Sequence, residues 1–142
     1  MQPGSGSFDT ILGSAFQYQL FPISIHGNVL YTIRTRGGQN FRNGNLFSAY
    51  IYADYLVNPA NKYFQTKIGL DTTLQNEVHQ RDHGERVKDS GGTTLLFGPE
   101  FSVQGNRHIS IFGNFLFPVF QKLGGVHQHL QYVWNAGVKI AF

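Results

Sequence analysis

Leu130-Gln-Tyr-Val-Trp-Asn-Ala-Gly-Val-Lys-Ile-Ala-Phe142 is the stretch whose reading decides the fold. Taken two residues at a time, Leu130, Tyr132, Trp134, Ala136, Val138, Ile140 and Phe142 fall on one side. Gln131, Val133, Asn135, Gly137, Lys139 and Ala141 fall on the other. Successive side chains of a strand point to opposite faces, so the stretch predicts a strand with one apolar and one mainly polar face. A helix would scatter the same residues around its circumference.

Working outward, the same period predicts six more strands. They are about Phe8–Leu20, Ile23–Arg34, Asn45–Val57, Tyr63–Glu77, Thr93–Gln104 and His108–Phe120. The Tyr63–Glu77 segment alternates most cleanly, with Phe64, Ile68, Leu70 and Leu74 opposing Gln65, Lys67, Asp71, Thr73, Gln75 and Glu77. In His108–Phe120 the apolar set is Ile109, Ile111, Phe115, Phe117 and Val119. The connections alternate in length. Short ones lie near 21–22, 58–62 and 105–107, and long ones at Thr35–Gly44, His79–Gly92 and Gln121–His129.

Composition narrows the class. Charged residues are 13% of the 142, about half the ~25% usual for soluble domains. Aromatics reach 15%, with thirteen Phe and seven Tyr, and seventeen Gly suit a many-turned β protein. A soluble sheet needs one wet, charged face, and this chain has few charges to supply it. Cysteine is absent, which excludes disulfides and thiolate chemistry. No run approaches the ~18 apolar residues of a membrane helix, but barrel strands need only about 9–11 alternating residues. The net charge of +3 is thinly spread and gives no footprint for nucleic acid.

Bacterial membrane barrels have short periplasmic turns and longer extracellular loops. With the last strand ending in the periplasm, every short connection falls there and every long one outside. The expected fold is therefore all-β, an antiparallel up-and-down transmembrane β-barrel, as a single domain over 1–142. Single-chain bacterial barrels have even strand numbers and leave no open edge in lipid. Seven strands thus predict a C-terminal portion of a larger barrel. Met1-Gln-Pro-Gly-Ser5 lacks the basic start and apolar stretch of a signal peptide, which points the same way.

Two resemblances add to this reading. Asn135, Gly137, Ile140 and Phe142 resemble the C-terminal insertion signal of bacterial outer-membrane barrels, a polar residue, a glycine and two terminal hydrophobic positions. Over nearly its whole length the chain also resembles the outer-membrane transporter family labelled MetA-pathway of phenol degradation. The matching features are Gly4-Ser-Gly-Ser-Phe-Asp9, Tyr31, Asn58-Pro59, Arg81-Asp82 with Ser90-Gly-Gly92, and Pro118-Val-Phe-Gln121 with Gly125. Gly98-Pro99-Glu100 departs from the family's usual Ser-Pro-Gly. The resemblance implies a channel or transporter passing small solutes, hydrophobic ones included, across the outer membrane of a Gram-negative envelope. It implies outer-membrane lipid, lipopolysaccharide and the barrel assembly machinery as partners. The alternative is a non-conducting barrel that serves as an anchor or as a subunit of a complex with other envelope proteins. A soluble lipocalin-like binder is a third reading, and it would hide the Phe-rich face inside.

Candidate site residues follow from the polar faces. His26, Arg34, Asp54, Lys67, Asp71, Glu77, Glu100 and Lys139 are expected to face a lumen, either as a water-filled solute filter or as a plug of salt bridges. His79, Asp82 and His83 could gather around a divalent cation, with His127 and His129 in the neighbouring long connection as a second pair. The competing reading is a solvated loop where Arg81, Arg86 and Lys88 offset Asp82, Glu85 and Asp89. No cofactor is implied. G-x-S-x-G, P-loop and H-E-x-x-H patterns are absent. Ser24/His26 and Ser110/His108 are spaced as strand neighbours on one face, which fits a barrel lining better than a nucleophile pair, so no enzymatic activity is expected.

Overall fold

A computed structural model of the chain describes residues 8–37, 41–61, 63–87, 90–105, 108–124 and 130–140. These form ten strands: β1 Asp9–Leu20, β2 Ile23–Arg34, β3 Phe41–Arg42, β4 Leu46–Leu56, β5 Phe64–Glu77, β6 Arg81–Asp82, β7 Glu85–Arg86, β8 Gly92–Gly105, β9 Ile109–Leu123 and β10 Val133–Ile140. The seven long strands make one antiparallel sheet in sequence order, β1-β2-β4-β5-β8-β9-β10. The fold is all-β, and the sheet is open, because β1 and β10 lie at its two edges. Among the described residues no helix is long and apolar enough to cross a membrane.

Local chemistry explains where strands stop. At the β4–β5 turn the Asn58 side chain accepts from Thr66 N at 2.6 Å and donates to the Phe64 carbonyl at 2.7 Å. Asn61 Oδ1 accepts from Tyr63 N and Phe64 N at 2.9 and 3.1 Å. The two amides replace the ladder bonds that Pro59 cannot make. The remaining short strands make a second sheet, β3-β6-β7, inside connections expected to be loops. Its β6–β7 hairpin turns at His83 and Gly84, with φ of 49° and 93°, the pair of positive values a type I′ turn requires. Two-residue strands carry no readable period, and this is why the sequence hides them.

The large sheet is inside out relative to a soluble one. Ser24, Ser48, Asp54, Asp71 and Thr73 are buried on the polar face. On the opposite face Leu12, Phe16, Ile51, Leu70, Phe101, Ile111, Phe117, Trp134 and Val138 are all exposed. Among the described residues Leu96 and Leu116 are the buried apolar side chains, and the register puts both on the polar face, opposite Thr73 and Val133. There is no apolar core between layers.

Two boundaries and one face differ from the period-two reading. β10 begins at Val133 rather than Leu130, and β9 runs on to Leu123 through residues expected to be loop. In β9 the pairs Leu96↔Pro118 and Leu95↔Phe120 skip Val119, so a bulge inserts there. Beyond it the alternation restarts one residue late. Phe120, not Val119, takes the register position on the Phe117 side, and both are exposed. Pro118, without an N–H to give the ladder, sits beside the break.

Candidate functional site: the polar face

The eight expected lumen residues lie on one face. Cross-strand partners share a face, and the pairs Tyr52↔His26 and Tyr52↔Asp71 link β2, β4 and β5. Asp54↔Ser24, Asp54↔Gly69, Gly69↔Glu100 and Glu100↔Asn114 carry the next row across to β9. Lys67↔Leu56, Glu77↔Leu46, Arg34↔Asp9 and Lys139↔Ser110 bring in the rest. The face belongs to an open sheet, with β1 and β10 at its edges.

Two networks organise it. Asp54 Oδ2 lies 3.7 Å from His26 Nε2 and 3.8 Å from Lys67 Nζ, so one buried carboxylate is flanked by two nitrogen groups. His26 stacks on Tyr52 with ring centroids 4.9 Å apart. The second network is a chain of amides: Asn135 Nδ2 donates to Asn114 Oδ1, and Asn114 Nδ2 donates to Asp71 Oδ2, each at 2.8 Å. At one end of the sheet, where β2 and β5 finish, Arg34 Nη1 donates to Glu77 Oε1 at 2.8 Å and to the Gly44 carbonyl at 3.1 Å.

Asn114 and Tyr52 are the residues that charge-based reading passed over. The signal for Asn114 was present: it is the one polar side chain in Ile111-Phe-Gly-Asn-Phe-Leu-Phe117. In an apolar run a lone amide on the polar register needs a partner. Between the networks lies a cavity of about 260 Å³ lined by Asn28, Tyr50, Tyr52, Asp71, Glu100, Phe112, Gly113 and Asn114. A second concavity, of about 1220 Å³, is an open, mainly apolar groove whose walls include Ile68, Leu70, Phe101, Phe115, Tyr132 and Trp134. Asp54, Glu100, Asn114 and Asn135 also border it, so it adjoins the polar networks.

The metal candidates do not assemble. His83 Nδ1 meets Asp82 Oδ1 at 2.7 Å, but His79 lies apart from this pair, lining a separate cavity. No group of three His, Cys, Asp or Glu is arranged for a cation among the described residues. His127, His129, Lys88 and Asp89 lie outside the described residues. Ser24 and His26 share a face, but the nitrogen that His26 turns to a partner, Nε2, lies 3.7 Å from Asp54 Oδ2. Ser110 lies on the same polar face of β9, just after His108.

Of the insertion-signal residues, Asn135, Gly137 and Ile140 belong to β10, and Phe142 lies outside the described residues. Asn135 is tied into the amide chain. Gly137 has a packing reason of its own, because a Cβ there would sit 2.5 Å from Cζ of the Phe112 ring. That ring covers the bare backbone of β10, an aromatic-over-glycine contact across two strands.

Comparison of the chain with family models, curated proteins and solved structures gives no match.

Proposed function

We propose that this sheet is part of a transmembrane β-barrel of the bacterial outer membrane. Its apolar face meets lipid and its polar face lines a passage for small solutes, hydrophobic ones included. The observation that carries the proposal is the inversion of burial: Leu70 is 50% exposed while its neighbour Asp71 is 9% exposed. Leaving a large apolar side chain in water forfeits about 1.5–3 kcal/mol, and the exposed face holds many of them. A hydrocarbon surround removes that cost. A soluble lipocalin-like barrel would need the reverse arrangement, with Leu70 and Phe101 inside and Asp71 outside.

The alternation of short and long connections supports the same reading, as does the resemblance of the chain to an outer-membrane transporter family. In it lipid and lipopolysaccharide surround the barrel, and the assembly machinery inserts it. The test is solute flux through the complete protein reconstituted in liposomes or planar bilayers. Swelling or conductance that depends on the protein supports a passage.

A second reading has its own observation. The Asn135–Asn114–Asp71 chain and the His26–Asp54–Lys67 group fill the polar face with side chains. A barrel so filled would conduct nothing and act as an anchor or a subunit of an envelope complex. An inserted, correctly folded protein with no flux would select this reading.

A further inference from the structure

The small β3-β6-β7 sheet carries an unusual row. Arg42 pairs with Arg81, and Arg81 pairs with Arg86, in direct register across three strands. Directly opposed residues put their side chains on one face at close range, and like charges there repel. The adjacent register position holds Phe41, Asp82 and Glu85, and alternation turns these to the other face. Asp82 is occupied by His83, and Glu77, at the end of β5, by Arg34. None of the three arginines makes an ion pair among the described residues.

Beside the row lies a cavity of about 130 Å³ lined by Arg42, Asn43, Gly44, Asn45, His79 and Arg81, with Val78. His79 Nδ1, buried in this region, has no hydrogen-bond partner among the described residues. A buried ring nitrogen without a partner is costly unless something supplies one. The frame is fixed rather than loose. Val78 N donates to the Asn45 carbonyl at 2.9 Å and Val87 N to the Gln80 carbonyl at 3.0 Å. Ser90 Oγ, in a buried residue, accepts from Gln80 N at 2.9 Å and donates to the Val87 carbonyl at 2.7 Å. Arg42 is aimed by its bonds to the Arg34 carbonyl and Asn45 Oδ1, at 2.7 and 3.2 Å.

We propose that this row and cavity form a phosphate-binding site, with Arg42, Arg81 and Arg86 holding the phosphate oxygens and His79 donating from the cavity wall. Three guanidinium groups match a dianion with several acceptor oxygens better than a single carboxylate, because each offers a planar fork of donors. The phosphate comes from one of two sources, a lipopolysaccharide headgroup beside the rim or a free anionic solute. The binding chemistry stands on the small sheet alone. The lipopolysaccharide source rests on the membrane reading.

The test uses the full chain folded in detergent micelles, titrated calorimetrically with inorganic phosphate. In parallel, phosphatidylcholine vesicles with and without lipopolysaccharide are used as the binding partner. The Arg81→Gln/Arg86→Gln double variant should weaken binding at least about tenfold, since charge-assisted hydrogen bonds are lost. Arg81→Lys/Arg86→Lys should fall between, keeping charge without the fork. Arginine-dependent binding of inorganic phosphate assigns the site to free anions. Arginine-dependent binding of lipopolysaccharide vesicles alone assigns it to the headgroup. Binding of neither, or binding unchanged in the glutamine variant, overturns the proposal. Circular dichroism checks that each variant folds. If the glutamine variant does not fold, the lysine variant decides: undiminished binding overturns the proposal. A folded protein that passes no solute leaves this result standing, so the two proposals fail separately.

Discussion

Asn114 Nδ2 donates to Asp71 Oδ2 over 2.8 Å although β8 runs between their strands. Next-but-one strands are about 9.5 Å apart, so the side chains close this gap only where the sheet bends towards its polar face. Gly98, the register partner of Asp71 on β8, brings no side chain to obstruct the bond. Arg34 and Glu77 bridge over β4 in the same way. The longer Arg34 and Glu77 side chains can span the gap without curvature, so it is the short Asn114–Asp71 pair that marks the polar side as concave there.

Asn114→Leu should therefore destabilise more than Asn135→Ala. The first strands the Asp71 carboxylate, at about 1–3 kcal/mol, while the second removes one neutral hydrogen bond, at about 0.5–1.5 kcal/mol. Urea unfolding of the protein from lipid vesicles gives both values. The reverse order would mean that Asp71 draws its support from elsewhere.

Arginine placed at Leu70 and at Gln75 should separate the two faces of one strand. Leu70→Arg should cost about 2–4 kcal/mol near a bilayer midplane. Gln75→Arg, on the polar face and exposed, should stay within about 0.5 kcal/mol. The same vesicle unfolding experiment measures this, and equal effects would contradict a lipid-facing Leu70.

Gly137→Val should destabilise by about 1–3 kcal/mol, because the new side chain enters the space of the Phe112 ring. Ala136→Val, on the exposed opposite face, should be close to neutral. Adding Phe112→Ala to Gly137→Val should recover part of the loss. Strictly additive effects in this double-mutant cycle would show that the ring and the glycine are not in contact.

Phe142 tests recognition rather than packing. Its deletion should impair assembly in cells more than Ala141→Ser, scored by surface labelling of the segment from His79 to Gly92. Spontaneous folding of the purified variant into vesicles should change little by comparison. Equal losses in both settings would make the residue a packing contact, with no special part in insertion.

The seven long strands were legible because period two survives over eleven or more residues in Leu46–Leu56 and Phe64–Glu77. It fails where one residue is inserted, which is why Val119 was placed with Phe117. The face shared by His26, Asp54, Lys67, Asp71 and Glu100 was equally readable, since each choice of side needs only local alternation. Their partners were not. Asp71 and Asn114 are 43 residues apart, and only the register across three strands brings them together. Nor was the arginine row foreseeable, since it joins Arg42 to Arg81 across segments that read as separate loops.

That small sheet ties together two connections that are far apart in the chain. The connection from Thr35 to Asn45 and the one from Val78 to Gly91 are stitched together by β3–β6 pairing and by Val78 N to the Asn45 carbonyl. Neither can swing outwards without pulling the other. Through β3 and β6 the two connections are clasped to one another, so that they act as a pair joined at one point rather than as two independent flaps.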